Sequence, residues 1–304
     1  MDKGLTVDQF PHRQPQNYKE KKTVIVIADD VIPPPTHFQI AKGRSPSTPK
    51  AEVPFLELPI YSLSKCKTME IRRIESKHGF INIIPGGHGM PTIWDRDILL
   101  FIAGELSRAL DKKLPISPVV RFSVMDYLRA THRSFGGNSY TLFREGLSRL
   151  HTTSIETDLI TNGKVFTRAF HLIEGYSILN PNEQKVEESR ISVEVRLNDW
   201  SLNAILGREI LSISHEYYKI QNATKRRLYE IARKGCGHQE KWAIRLELLY
   251  ERTGIRSQLR EFRYNLKKIL AENDLPDYAI TADDSLSLIT FSKKAKESVS
   301  CKNA

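Results

Sequence analysis

Between Ser257 and Glu272 the chain reads SQLREFRYNLKKILAE, with cationic and hydrogen-bonding side chains recurring at the spacing of one helix face. Leu259, Phe262, Leu266, Ile269 and Leu270 share one stripe of a 3.6-residue period, while Arg260, Arg263, Tyr264, Lys267 and Lys268 fall opposite. Such a face suits recognition of a polyanion. The first turns of a helix set into the major groove of double-stranded DNA reach base edges, which makes Ser257, Gln258, Arg260, Glu261 and Tyr264 candidate base readers. Arg260 matches guanine O6 and N7 bidentately, Gln258 matches adenine, and Glu261 accepts from cytosine. Arg263, Lys267 and Lys268 lie further along and are expected on phosphates, where they supply affinity, register and salt dependence. Lys225, Arg226, Arg227 and Arg233 form a second basic strip expected to brace the DNA backbone. Arg144 and Arg149, near Ser139, Tyr140 and Ser148, are expected to hold phosphates or to belong to a dimer surface. For these outlying charges a solvated helix face is almost as good an account.

The elements around the basic stretch give it a setting. A helical segment from Trp242 to Glu251 and a turn at Arg252-Thr253-Gly254 precede it, and strand-like runs Tyr278 to Thr281 and Leu286 to Phe291 follow. Helix, turn, basic helix and hairpin is the order of a winged helix-turn-helix. The first half shows the same order. Strand-like runs at Glu57 to Leu63, Met69 to Ile74 and Phe80 to Ile84 lead to a core helix from Trp94 to about Lys113. Ser123 with Asp126 makes a capping-box pattern that opens a helix through Thr131, and Asn138 caps another to about His151. Strands Ser154 to Ile160 and Val165 to Leu179 follow, joined by a tight turn at Asn162-Gly163. In the second half a lead-in strand, Ile191 to Leu197, comes before a helix from Ile220 to Lys234. The expected fold is therefore α+β: two tandem winged helix-turn-helix domains with a disordered N-terminal arm. The bounds are 1–54 for a flexible, basic, proline-rich arm, 55–180 for the first domain, 181–189 for a linker, 190–295 for the second domain and 296–304 for a tail. In the arm, Lys19, Lys21 and Lys22 could touch DNA, and Thr23 to Ile27 could pair as a short strand.

Composition agrees. The 304 residues carry a net charge of +10, and residues 219–273 hold 14 Lys and Arg against 6 Asp and Glu, which favours phosphate-rich partners. The 3 cysteines, Cys66, Cys236 and Cys301, lack metal or redox spacing and point to a reducing, cytoplasmic setting. No apolar run approaches a membrane span, and the N-terminus has no signal pattern. Catalysis finds little support. No phosphate-binding G-x-x-x-x-G-K-[ST] loop occurs, and the 9 histidines include no pair separated by one hydrophobic residue, as the metal site of a strand-nicking enzyme would need. Tyr217-Tyr218 then reads as core, and Asp95 and Asp97 read as helix-terminal acids meeting the dipole. No enzyme, metal or cofactor is expected.

Three separated motifs resemble the plasmid replication initiator protein A family: Gly89 to Ile98 (GMPTIWDRDI), Gly136 to Leu150 (GGNSYTLFREGLSRL) and Leu259 to Tyr278 (LREFRYNLKKILAENDLPDY). The similarity covers roughly residues 55–292. It carries over onto Arg260, Phe262, Leu266 and Lys267, onto Leu275-Pro276-Asp277-Tyr278 leading into the wing, and onto Tyr140 and Arg149 in the first half. The resemblance implies an initiator that binds repeated origin sequences, helps open the origin and recruits host replication proteins such as a helicase or its loader. It also implies a monomer active on repeats and an inactive homodimer. A winged-helix transcriptional repressor or regulator would use the same recognition chemistry.

Overall fold

Ahead of the repeated part of the chain stand β1 (Phe38–Gln39), β2 (Lys50–Glu52), α1 (Val53–Glu57), β3 (Arg72–Ser76) and β4 (Gly79–Ile84). The first repeat is α2 (Arg96–Asp111), β5 (Val119–Ser123), α3 (Val124–Ala130) and α4 (Gly137–Thr152). An insertion of β6 (Ser154–Thr157), β7 (Ile160–Thr161), β8 (Lys164–Val165) and β9 (Arg168–His171) then precedes β10 (Ile173–Leu179) and β11 (Ser192–Leu197). After α5 (Asp199–Leu206), β12 (Ile210–Ser212) and a 3-10 turn at His215–Lys219 comes the second repeat. It comprises α6 (Ala223–Cys236), β13 (Lys241–Arg245), α7 (Leu246–Thr253), α8 (Leu259–Glu272), β14 (Tyr278–Ala282) and β15 (Leu288–Lys293). This computed structural model describes residues 36–76, 79–161, 163–165, 168–179 and 191–295.

Both repeats close in the same way. The strand ahead of each second helix pairs with the last strand of its half, and that strand pairs with the one before it, in the orders β5-β11-β10 and β13-β15-β14. These are two winged helix-turn-helix units. Each has its own apolar cluster. Phe101, Phe122, Tyr127 and Phe143 stack edge to face in the first, and Leu228, Leu246, Phe262, Leu266, Ile280 and Phe291 fill the second.

Several elements differ from the sequence expectation, each for a local reason. β11, read as a lead-in to the second half, is the middle strand of the first sheet, its Val193 and Val195 fully buried. The first wing is therefore β10-β11, and the segment read as a linker, which lies outside the described residues, joins two strands of one sheet. The expected long strand Val165 to Leu179 breaks at the buried Leu172 into β9 and β10, which enter different sheets. β9 joins β3, β4 and β6 in a separate four-stranded sheet, and β7-β8 forms the tight hairpin with Gly163 at a φ of 69°. Asn162 lies outside the described residues.

Trp242 to Ile244 is strand rather than helix, because Trp242 stacks on Phe291 across β13-β15, with ring centroids 6.0 Å apart, while Ile244 points into the core. Glu57 to Leu63 is not a strand. Pro54 starts the short helix α1, and Arg227, not a neighbouring strand, binds the Leu56 and Glu57 carbonyls. Ser123 does occupy the N-cap of α3, but its side chain makes no capping bond, and the Asp126 carboxylate accepts from the Gly43 amide at 3.2 Å instead.

That last contact belongs to a wider correction of the arm. Residues 36–54 are ordered against both parts of the chain: β1 pairs with β5 of the first repeat, β2 pairs with β12 ahead of the second, and Ile40, Ala51 and Glu52 are buried. The proline- and serine-rich composition hid this, since these residues dock on surfaces made by distant parts of the chain. The arm's earlier features, Lys19, Lys21, Lys22 and Thr23 to Ile27, lie outside the described residues, as does the tail.

Candidate nucleic-acid interface

α8 shows how one period serves two tasks. Phe262, Leu266 and Ile269 are buried beneath it, and Arg260, Glu261, Arg263, Tyr264, Asn265, Lys267 and Lys268 are exposed. Its approach is rigid. α7 ends on Gly254 at a φ of 69°, the Tyr250 hydroxyl donates to the Ser257 carbonyl at 2.6 Å, and Thr253 Oγ1 accepts from the Ile255 amide at 3.3 Å. At the far end Asn273 takes the left-handed conformation and its Oδ1 accepts from the Ile280 amide at 2.9 Å, tying the helix to β14.

The helix end nearest the turn carries Gln258 at the N-cap, exposed and without a side-chain cap bond, and Ser257, half-buried. Tyr264 is 61% exposed, and Lys268 Nζ sits 4.4 Å from its ring centroid, so that the aromatic face and the cation form one surface. Leu259, Arg260, Arg263, Tyr264 and Lys267 line a shallow groove with Ser285 and Leu286 of the wing. Arg263 also approaches Glu247 at 3.4 Å, an exposed pair that phosphate can displace at little cost. The wing is acidic: Asp283 accepts from the Ser287 and Leu288 amides at 2.7 and 2.8 Å, which holds its carboxyl below the usual range, and Asp284 is exposed.

Four of the arginines and lysines expected on phosphate are engaged elsewhere. Arg226 is buried, with Nη1 2.7 Å from Asp97 Oδ1 and further bonds to the Tyr218 and Ile220 carbonyls. Arg227 is buried on Glu230 at 2.9 Å and on three backbone carbonyls. Lys225 is held by Glu272 and by Asp274 at 2.6 Å. Arg149 grips Asp95 through two bonds of 2.8 and 2.9 Å, which raise its already high pKa. Arg226 and Arg227 are thus interior wiring, on the side of α6 that packs against both halves, while Lys225 is half-buried and paired with exposed acids. Arg233 bonds the Ser212 carbonyl at 2.7 Å.

On α4, Ser139 is buried and Ser148 bonds Tyr176, which leaves Arg144 exposed beside Tyr140, 6.0 Å from its ring. One cation escaped the sequence reading. Arg245, exposed at the N-cap of α7 and without an acidic partner among the described residues, stands at the start of the first helix of the helix-turn-helix pair. The strand-to-helix junction that places it there was hidden by reading Trp242 to Glu251 as one helix.

Among the described residues no group of acids, histidines and cysteines is arranged to hold a metal, and no helix is long and apolar enough to cross a membrane.

The solved structure of domains 2 and 3 of RctB superposes with a TM-score of 0.58 at 10% identity, covering 81% of this chain and 99% of that one. A second structure of the same RctB domains gives 0.52 at 13% identity, covering 75% of this chain and 92% of that one. At such identity the likeness is one of fold. In sequence, a protein of Wigglesworthia glossinidia brevipalpis assigned to replication is 36% identical over 259 residues, 84% of this chain and 93% of its own length. The family model described as replication initiator protein A matches residues 50–280. With a match over most of its length and the tandem winged-helix fold, the chain belongs to the replication initiator protein A family.

Proposed function

We propose that this initiator binds repeated sequences in a plasmid origin through its two winged-helix units, helps open the origin, and recruits host replication proteins such as the helicase or its loader. The outward face of α8 carries the reading. It is exposed along its length, cationic, framed by a fixed turn and a wing, and set where a winged helix presents its reading helix. Gln258, Arg260, Glu261 and Tyr264 read bases, with Ser257 at the entry to the helix. Arg263, Lys267, Lys268 and Arg245 hold phosphates, and Arg144 on α4 makes the contact of the first half. The role is binding and assembly, with no reaction performed by the chain.

Footprinting on directly repeated origin DNA tests this reading. Ordered protection of each repeat at concentrations that leave random duplex unprotected is expected, and equal protection of both would overturn it. An origin-dependent plasmid maintenance assay separates initiation from repression, because a repressor alone leaves maintenance intact when removed.

A further inference from the structure

The motif Trp94-Asp95-Arg96-Asp97 opens α2, and its three charged residues reach three different places. Asp95 holds Arg149 of α4 by two bonds of 2.8 and 2.9 Å. Arg96, fully buried, faces Glu230 of α6 at 2.6 Å, a charge contact whose guanidinium nitrogens are not aligned for hydrogen bonding. Asp97, with no exposed surface, takes Arg226 of α6 on one oxygen at 2.7 Å and Arg133, from the segment entering α4, on the other at 2.9 Å. α6 extends the chain of contacts to the second half's reading unit. Arg227 binds the Arg252 carbonyl at the end of α7, and Lys225 binds Glu272 and Asp274 at the end of α8. Gly146 is part of the same arrangement, since a Cβ there would lie 2.8 Å from Asp95 Oδ1, so glycine lets α4 approach the hub.

A buried ion pair contributes little net stability compared with well-packed apolar groups, and its best-attested use is to specify one arrangement among several of similar energy. An apolar contact between the halves would tolerate sliding and rotation. Directed bonds do not: Arg149 grips Asp95 with two nitrogens, Asp97 takes Arg226 on one oxygen and Arg133 on the other, and each carboxylate accepts only along its own oxygen directions.

We propose that the Asp95-Arg96-Asp97 hub is a positioning device that sets the separation and phase of α4 and α8, so that the length of DNA site this protein accepts is specified by buried ion pairs away from the DNA. The proposal rests on the reading that both halves contact DNA. Two linked contacts strengthen one another by roughly 10²- to 10⁴-fold only when the linkage lets both engage at once. A rigid hub therefore confines strong binding to one spacing, and a loosened hub trades peak affinity for tolerance.

The test uses the full chain and a duplex site recovered from a random-sequence library. That site is compared with versions carrying 2 or 5 extra base pairs between the two contacted segments. The unaltered protein is expected to bind the lengthened sites about 100-fold more weakly. Asp97→Asn and Glu230→Gln, which keep shape and remove charge, should cut that penalty to about tenfold or less while leaving binding to a single segment unchanged. An undiminished penalty in both variants overturns the proposal. If the unaltered protein shows no penalty, or Arg144→Ala leaves binding untouched, the two-contact reading fails and the hub proposal fails with it. A DNA-free measurement covers variants of low stability. Spin labels at Glu145→Cys and Asn265→Cys, with Cys66 and Cys301 changed to serine, should give one narrow distance distribution in the parent and a broadened one with Asp97→Asn. An equally narrow distribution in both overturns the proposal.

Discussion

Arg227 sits in a basic run and would be taken for a phosphate contact by its neighbours, yet its surroundings predict a different phenotype. Its guanidinium donates to the carbonyls of Leu56 at 3.0 Å, Glu57 at 2.9 Å and Arg252 at 2.8 and 3.0 Å, and to Glu230 Oε2 at 2.9 Å. Arg227→Leu deletes all five bonds. Breaking a buried charge pair costs about 3–5 kcal/mol, and each carbonyl left unpaired adds about 1–3 kcal/mol. Two features reduce the sum: Glu230 keeps Tyr217 at 2.6 Å and Arg96 at 2.6 Å, and leucine fills part of the space. A loss of ~4 kcal/mol follows, which for a chain of this size lowers the melting temperature by roughly 10 °C.

Calorimetry or denaturant unfolding measures that loss, and DNA binding across a salt series supplies the discriminating readout. A true phosphate contact contributes about 0.9 to the slope of log affinity against log salt. Arg227→Leu should leave the slope unchanged at temperatures where the variant is folded, whereas Lys267→Ala should flatten it by about 0.9. Normal melting of Arg227→Leu together with a flattened slope would refute the reasoning.

Other outcomes follow from the same geometry. Arg260→Ala should cost about 1–3 kcal/mol on the selected site and relax preference at one base position, while Lys267→Ala weakens selected and random DNA alike; competition binding separates the two. Gly254→Ala places a Cβ 2.5 Å from Pro59 in a left-handed conformation, so unfolding should show a loss of at least about 1–2 kcal/mol. Burial, and next the neighbouring His132, push the His215 imidazole below its ordinary value, opposed by Glu216. The unfolded chain therefore takes up the proton first as pH falls. Stability from this group is complete above about pH 6.5 and declines as the pH drops through the unfolded value toward the folded one. Unfolding curves between pH 7 and 5 should show that decline, reduced in His215→Asn.

Periodicity along the chain was enough to separate the two faces of α8, because residues 3 and 4 apart share a side whatever the helix packs against. It likewise gave α2, α4 and the final hairpin to within a few residues, and the order of these elements implied two winged units. Contacts between distant residues decided the rest. Arg226 meets Asp97, 129 residues away, and no local pattern separates that buried arginine from the exposed Arg260. β11 and residues 36–54 were misassigned for the same reason, since strand partners and docking surfaces are chosen by the folded whole. The acids of the Trp94–Asp97 motif show both sides. Helix-dipole logic placed them correctly in the opening turn of α2, yet their ion pairs to α4 and α6 emerged only when those two helices converged on that turn. Local chemistry sets which faces a segment can offer. Tertiary packing determines which charges stay at the surface and which lie inside, joining the two winged units.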